Sequence, residues 1–298
     1  MPLQFTVLAS GSAGNASLIQ AEDFSLLLDI GLGPRQLARR LAAVGASWSQ
    51  IRAVLLTHTH SDHWKDKSLA HLRRLRIPLY CHATHREFLR NCGTGFKSLD
   101  AAKLVRGYDG GEEIVLAPGL RCRPLPLRHD GGPTFGFRLE AMGDLFSQPM
   151  ALAYVADLGS WDETLAQALA DVDLLALEFN HDVDLEHVSG RSPLLIARIL
   201  GDEGHLSNVQ ASALLRRVLH LSPSGRLGQV VQLHLSRDCN RDELAAEAAR
   251  TALTEAASLA QLYTARQDEP GPTLVLGAPR SSKAWVAAHP TPAELAGT

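Results

Sequence analysis

Apolar positions come in two rhythms along this chain. Predominantly apolar runs of five to seven residues recur at 3–9, 16–20, 24–28, 52–56, 151–156, 172–177 and 229–233. Runs of that length, bounded by Gly, Pro, Ser or Asp, predict short buried strands. Between and after them the spacing changes to three and four residues. It predicts helices at 34–44, 67–75, 83–91, 161–169, 192–200, 208–220 and 241–257. Pro34 suits a first helical turn and Gly45 a stop. From 103 to 139 the runs shorten and are broken by Gly and Pro, which predicts the hairpins of a second sheet. Strands and helices thus alternate in both halves, and several strands end on a His or an Asp. The pattern predicts an α/β sandwich with its site on loops at one edge of two sheets. A single domain is expected over 1–280, with residues 281–298, rich in Ala and Pro, as a disordered tail.

Composition narrows the class. Of 298 residues, 45% are hydrophobic and 20% charged, ordinary for a globular chain able to bury a large core. No apolar run reaches the length of a membrane span. The first ten residues lack the basic start and cleavage site of an export signal. A cytoplasmic protein without a membrane association is therefore expected. Cys81, Cys92, Cys122 and Cys239 show no CxxC spacing and read as reduced thiols. The formal net charge is −3, but residues 64–106 hold ten Lys or Arg against three acids, a local excess of seven positive charges. Two readings stand: a face that attracts a phosphate-containing substrate, or a solvated helix surface.

The densest chemistry is His58-Thr59-His60-Ser61-Asp62-His63, directly after the run at 52–56. In extended chain, residues two apart point the same way, so His58 and His60 face one position. A turn brings Asp62 and His63 to a second position nearby. Imidazole and carboxylate together suit a divalent transition metal. Taken singly, Asp157 reads as a helix cap and His234 as a strand-end residue. His71, His82, His85, His187, His220 and His289 have no such company.

HxHxDH after a short apolar strand resembles the signature of the metallo-β-lactamase superfamily, and further pieces follow in order. Asp29 closes LLLD, His129 follows the stretch 121–127, Asp157 closes YVAD and His234 closes QLH. The resemblance covers residues 3 to about 245. It implies an αββα sandwich, two facing mixed sheets flanked by helices. It implies two divalent metal ions (zinc, manganese or iron), one held by His58, His60, His129 and Asp157. The second falls to Asp62, His63, Asp157 and His234, with Asp157 bridging and Asp29 orienting a ligand by a hydrogen bond. Asp62 is also the implied acceptor of a proton from the attacking water.

Three further motifs narrow the branch: Ser10-Gly11-Ser12-Ala13-Gly14-Asn15, Glu178-Phe179-Asn180-His181-Asp182 and Gly204-His205-Leu206-Ser207-Asn208. Together with HLSRDCN at 234–240 they are similar to the YycJ/WalJ group, regarded as DNA exonucleases. DNA is thus the implied partner. Analogy with ribonuclease Z makes His205 a general acid and Glu178 its partner. Ser10, Ser12, Asn15, Asn180, His181 and Ser207 are the candidate substrate contacts. Two plainer readings stay open. SGSAGN is either an anion-binding nest of backbone N–H groups or a tight turn. GHLSN is either part of the site or a capped helix start. Asp157 and His234 stand too close in sequence for the inserted domain of β-CASP nucleases, and no long exosite arm is visible. A thioester, lactone or β-lactam hydrolase shares HxHxDH without needing GHLSN or a basic face, and is the alternative function. An iron oxidoreductase would carry an added flavin or rhodanese domain, and a dead scaffold would have lost ligands.

Overall fold

The structure, a computed structural model, describes residues 3–142 and 149–276; the tail expected at 281–298 lies outside the described residues. The chain lays down β1 (Leu3–Ala9), β2 (Ala16–Ala21), β3 (Phe24–Leu28), α1 (Pro34–Ala43), β4 (Ile51–Leu55), α2 (Asp66–Leu75), β5 (Leu79–Cys81), α3 (Ala83–Cys92), α4 (Thr94–Ala101) and β6 (Val105–Gly107). Then come β7 (Ile114–Ala117), β8 (Leu120–Leu127), β9 (Thr134–Ala141), β10 (Met150–Val155), α5 (Glu163–Leu169), β11 (Leu174–Glu178), α6 (Val183–His187) and α7 (Pro193–Leu200). The last elements are α8 (Asn208–Leu221), β12 (Gln229–Leu233), α9 (Asp242–Glu255), β13 (Gln261–Thr264) and β14 (Leu274–Val275).

Every strand and helix expected from the periodicity is present to within two residues at either end. One assignment between 103 and 139 differs. β7, β8 and β9 form the expected antiparallel hairpins, but β6 pairs in parallel with β5 in the other sheet. A three-residue strand carries no period that tells its sheet. For the same reason β5 and the two-residue β14 escape detection in the sequence.

Strand alternation explains the layering. The two sheets run β14-β1-β2-β3-β4-β5-β6 and β13-β12-β11-β10-β9-β8-β7. Phe5, Leu26, Leu28 and Leu55 of the first sheet meet Phe137, Leu152, Tyr154 and Leu174 of the second in a central core. Their neighbours point outward. Leu8, Leu27 and Val54 pack under Leu37, Leu69, Leu72, Leu89 and Phe96 of α1–α4. Ala153, Val155, Leu175 and Leu177 pack under α5, α8 and α9. Each central strand is therefore covered on both faces, which is why it reads as a near-continuous apolar run. The result is a four-layered αββα sandwich of two mixed sheets.

In each sheet one half is antiparallel and the other parallel. β3, β4, β5 and β6 are parallel, as are β10, β11, β12 and β13. Parallel strands end at a common edge, and ligands of α/β sheets gather outside such carboxyl ends. Asp29 follows β3, His58 follows β4, Asp157 follows β10, and His234 follows β12. Glu178 is the last residue of β11.

Phe137 is fully buried between the sheets, its ring 5.7 Å from that of Tyr108. Phe137→Ala should destabilise the fold by about 3–5 kcal/mol, the range for emptying a buried aromatic site. Urea unfolding followed by circular dichroism measures it. A loss under about 1 kcal/mol would mean that the sheets do not pack through this residue.

Candidate metal centre

The turn after β4 builds the centre around Asp29. Asp29 is fully buried, and its Oδ1 accepts the Thr57 backbone N–H at 2.9 Å. The Thr57 hydroxyl lies 2.9 Å from Asp29 Oδ2, and His63 Nδ1 is 2.7 Å from the same oxygen. With Nδ1–H pointing at a carboxylate, His63 presents Nε2 to the interior of the cluster. Gly31 makes this packing possible, since a Cβ there would lie 1.6 Å from the Asp62 carbonyl oxygen. Asn15 fastens the same corner. Its N–H bonds the Asp62 carbonyl at 2.7 Å, and its Nδ2 reaches Asp62 Oδ2 at 3.0 Å.

Donor atoms converge in four overlapping groups, each spanning no more than 4.8 Å. His58, His60 and His129 form one; Asp62, His63 and His234 form another. Asp157 lies between them, with Oδ2 3.0 Å from His63 Nε2 and Oδ1 3.9 Å from His129 Nε2. All seven residues expected as ligands are thus gathered, with Asp157 between the two groups. His129, which follows β8, is oriented by the Gly204 carbonyl 2.8 Å from its Nδ1, leaving Nε2 for the cluster. Its turn passes close to the other rings: a Cβ on Gly131 would lie 2.5 Å from the His58 ring. His205 and Glu178 join Asp157 and His234 in a further group, whereas His71, His82, His85, His187 and His220 belong to none; His289 lies outside the described residues.

The donors fit divalent cations. His58 Nε2, His234 Nε2 and Asp157 Oδ2 are buried without a hydrogen-bond partner. Asp157 Oδ2 is near His63 Nε2 but off the hydrogen-bond direction. Orphaned buried polar atoms each cost about 1–3 kcal/mol, so three within these overlapping groups mark a place where a ligand completes them. Burial, reinforced by the charge of His63, pulls His58 well below the ordinary imidazole range and keeps its lone pair free. Burial opposes ionisation of Asp157, yet His234 and His63 hold its carboxyl well below the usual range. Against the pull of burial, Asp157, Asp29 and Asp62 raise His63 well above the ordinary imidazole range, and Asp157, Asp62 and Glu178 do the same to His234. Anionic carboxylates and neutral imidazoles are the forms that bind metals, so a cation bound here would displace the protons of these two rings.

A second constellation flanks the first. Glu178 is fully buried and accepts four hydrogen bonds. Its Oε2 takes the N–H groups of Leu158 at 2.9 Å and Leu206 at 3.0 Å. Its Oε1 lies 2.8 Å from His205 Nδ1 and 2.9 Å from His234 Nδ1. Desolvation resists the charge, but His205 and the hydrogen bonds bring the Glu178 carboxyl down to about 2. Its lone pairs are committed, so it orients the two imidazoles and has none left for a cation. The His205 side chain is 20% exposed, its ring 4.9 Å from that of His129.

The candidate substrate contacts divide sharply. Ser10, Asn15, Asn180, His181 and Ser207 are all buried, whereas Ser12 is exposed. Ser10 Oγ accepts the His234 N–H at 2.8 Å, and Asn180 Nδ2 donates to the His234 carbonyl at 2.8 Å. These two position a ring rather than reach outward. Ser207 caps α8 through a reciprocal box with Gln210, which accounts for its hydroxyl. Of the two readings of SGSAGN, the hydrogen bonds describe a turn tied into the protein. The N–H groups of Gly11, Ala13, Gly14 and Asn15 all bond within the protein.

Two features escaped the sequence reading. Asn208 and Asn240 exchange side-chain hydrogen bonds at 2.9 and 3.1 Å, and Asn240 also holds the carbonyls of Phe179 and Asn180. Both lie in motifs the sequence singles out, but nothing there shows that they meet. Arg198 of α7 pairs with Asp130, whose carboxylate is 3.5 Å from His60 Nε2.

A family model described as "Beta-lactamase superfamily domain" matches residues 25–221. The chain is 25% identical over 246 residues to "Exodeoxyribonuclease WalJ" of Streptococcus pneumoniae serotype 2, covering 81% of this chain and 85% of the relative. It is 26% identical over 250 residues to "Exodeoxyribonuclease YycJ" of Bacillus anthracis, covering 82% and 87%. Among solved structures, the metallo-β-lactamase fold protein YhfI of Bacillus subtilis superposes with a TM-score of 0.63. That match has 18% identity and covers 91% of this chain and 99% of that one, a likeness of fold.

Asn240→Leu should cost about 3 kcal/mol, because it leaves the buried Asn208 amide and two carbonyls unpaired, at roughly 1–3 kcal/mol for each such group. Thermal melting reports the loss; an unchanged midpoint would show that the asparagine pair does not hold these loops.

Proposed function

Because the chain belongs to the beta-lactamase superfamily, a superfamily of metal-dependent hydrolases, we propose that it hydrolyses phosphodiester bonds of DNA from a strand end. His58, His60, His129 and Asp157 would hold one divalent cation, and Asp62, His63, His234 and Asp157 a second. The observation that carries the reading is the His205–Glu178 pair at the rim of this cluster. Hydrolysis of a phosphodiester needs a proton for the departing oxygen, and a partly exposed imidazole held by a buried carboxylate is a suitable donor. The relatives named exodeoxyribonucleases, similar over four-fifths of the chain, support DNA as the substrate.

Bound divalent cations supply Lewis acidity and lower the pKa of water towards neutrality. The chain's own groups do the rest. Asp62, whose Oδ2 lies 3.5 Å from His234 Nε2, would accept a proton from the attacking water. Burial disfavours charge on His205, but Glu178 raises its pKa above the ordinary value. With Nδ1–H fixed on Glu178, the proton to be transferred sits on Nε2. Asp29 and Thr57 hold His63, and Ser10, Asn180 and Glu178 hold His234, so the donors meet a substrate already aligned.

End-labelled single- and double-stranded DNA, incubated with the protein and Mn²⁺ or Zn²⁺, should give a ladder from one end that a chelator abolishes. His60→Ala should lose metal and activity together. Hydrolysis of a thioester or lactone with DNA left intact would sink the DNA reading. His205→Ala should retain its metals by elemental analysis while turnover falls roughly 10²–10⁴-fold, the range for a lost general acid. Metal loss in that variant would remove the assigned role. Asp29→Asn should weaken metal binding about 10–100-fold in a chelator competition; unchanged affinity would show that Asp29 does not tune the centre.

A further inference from the structure

The basic segment has an unusual internal balance. Residues 31–106 hold fourteen Lys or Arg and four acids. Three of those acids are committed elsewhere. Asp62 belongs to the metal centre, Asp66 accepts the N–H groups of Gly95 and Phe96, and Asp100 is taken by Arg86 and Arg90. The cations of α1 and α2 are left over. Arg35, Arg39, Lys67 and Arg74 are exposed and form no ion pair among the described residues. On the opposite helical layer Arg216 and Arg217 are neutralised by Glu255 and Glu163, and Arg250 is exposed without an ion pair among the described residues.

These charges fall on one face of each helix. Lys67, His71 and Arg74 stand at i, i+4 and i+7 on α2, and Arg35 and Arg39 at i and i+4 on α1, so each set shares a helix face. Trp48 joins the two faces. Its Nε1 donates to the Pro34 carbonyl at the start of α1, and its ring lies 5.0 Å from that of His71. His71 Nδ1 in turn accepts from Arg74 Nη2 at 2.9 Å. α2 begins three residues after His63, and its ten residues extend about 15 Å from the metal centre. Unpaired cations flanking a half-buried aromatic, leading away from a hydrolytic centre, match the footprint of a single strand.

We infer that the α1–α2 face, with Arg35, Arg39, Trp48, Lys67 and Arg74, is a track that holds the phosphate backbone of the single DNA strand whose end enters the metal centre. The inference rests on the nuclease reading above and adds the surface that grips the substrate. Two phosphate contacts removed should flatten the salt dependence of binding, by about 0.7 per contact on logarithmic axes for single strands.

The test is binding of fluorescein-labelled oligo(dT) to the full chain under chelation, by anisotropy across a salt series. Wild type is compared with Arg35→Glu/Arg74→Glu and with Arg216→Glu/Arg250→Glu, which carries the same charge change on the other helical layer. The first variant should bind about tenfold or more weakly with a salt slope smaller by about 1.4. The second should bind as wild type, and both should keep the wild-type melting temperature. Equal weakening in both variants means a general charge effect and overturns the track. Undiminished binding by the first variant also overturns it, while the nuclease reading stands on its own cleavage assay. Wild-type cleavage of DNA without measurable oligo(dT) binding overturns the track alone; failure of both removes the nuclease reading with it.

Discussion

Asp157 carries a negative charge at 1% exposure, where solvation by water is unavailable. An isolated buried carboxylate is costly by several kcal/mol. His63, His129, His205 and His234 stand within 4 Å of its oxygens. Each of these rings is in turn held at its other side or its backbone. Asp29 fixes His63, the Gly204 carbonyl fixes His129, and Glu178 fixes both His205 and His234. The demand for positive charge around one carboxylate therefore organises parts of six separate segments. It also explains why divalent cations suit the place: they compensate several carboxylates at once and complete the orphaned donors on His58 and His234.

The fold supplies this convergence through the ends of its parallel strands. Three of the strand-end residues pay for the sharp exit with left-handed backbone: Asp29 at φ 62°, Asp157 at φ 59° and His234 at φ 55°. For residues with a Cβ this conformation costs roughly 1–2 kcal/mol each. It persists where the surroundings over-determine it, and it clusters at functional sites. Here the surroundings are explicit. Asp29 is held by Thr57 and His63, and His234 by Ser10, Asn180 and Glu178. The asparagine pair Asn208–Asn240 ties the loops after β11 and β12 to the start of α8. Loops that carry chemistry are thus stapled to the sandwich, which keeps the donor atoms at fixed separations.

The two halves of the sandwich divide the remaining work. The first sheet supplies Asp29, His58, His60, Asp62 and His63, and its outer helices bear the unpaired cations. The second supplies Asp157, Glu178, His205 and His234, and on its outer helices Arg216 and Arg217 are neutralised by acids. The cluster forms only where both edges meet, so neither half has a complete site.

The sequence by itself determined the layers and the donors. Two-sided burial writes central strands as apolar runs, amphipathic spacing writes the helices, and HxHxDH places four donors within six residues, close enough that local geometry joins them. The family resemblance carried by that motif also named Asp29, His129, Asp157, Glu178, His205 and His234, which taken singly had plainer readings. What only the tertiary structure decided is what those side chains do with their hydrogen bonds. Ser10 and Asn180 support a histidine from below, Ser207 caps a helix, and the N–H groups of Gly11, Ala13, Gly14 and Asn15 turn inward. β6 joins the first sheet, and Glu178 serves two imidazoles at once. Periodicity records which face of an element is buried, but it holds no information about partners that lie tens or hundreds of residues away. Those are fixed when the two sheets close on one another and each buried polar atom must find its match.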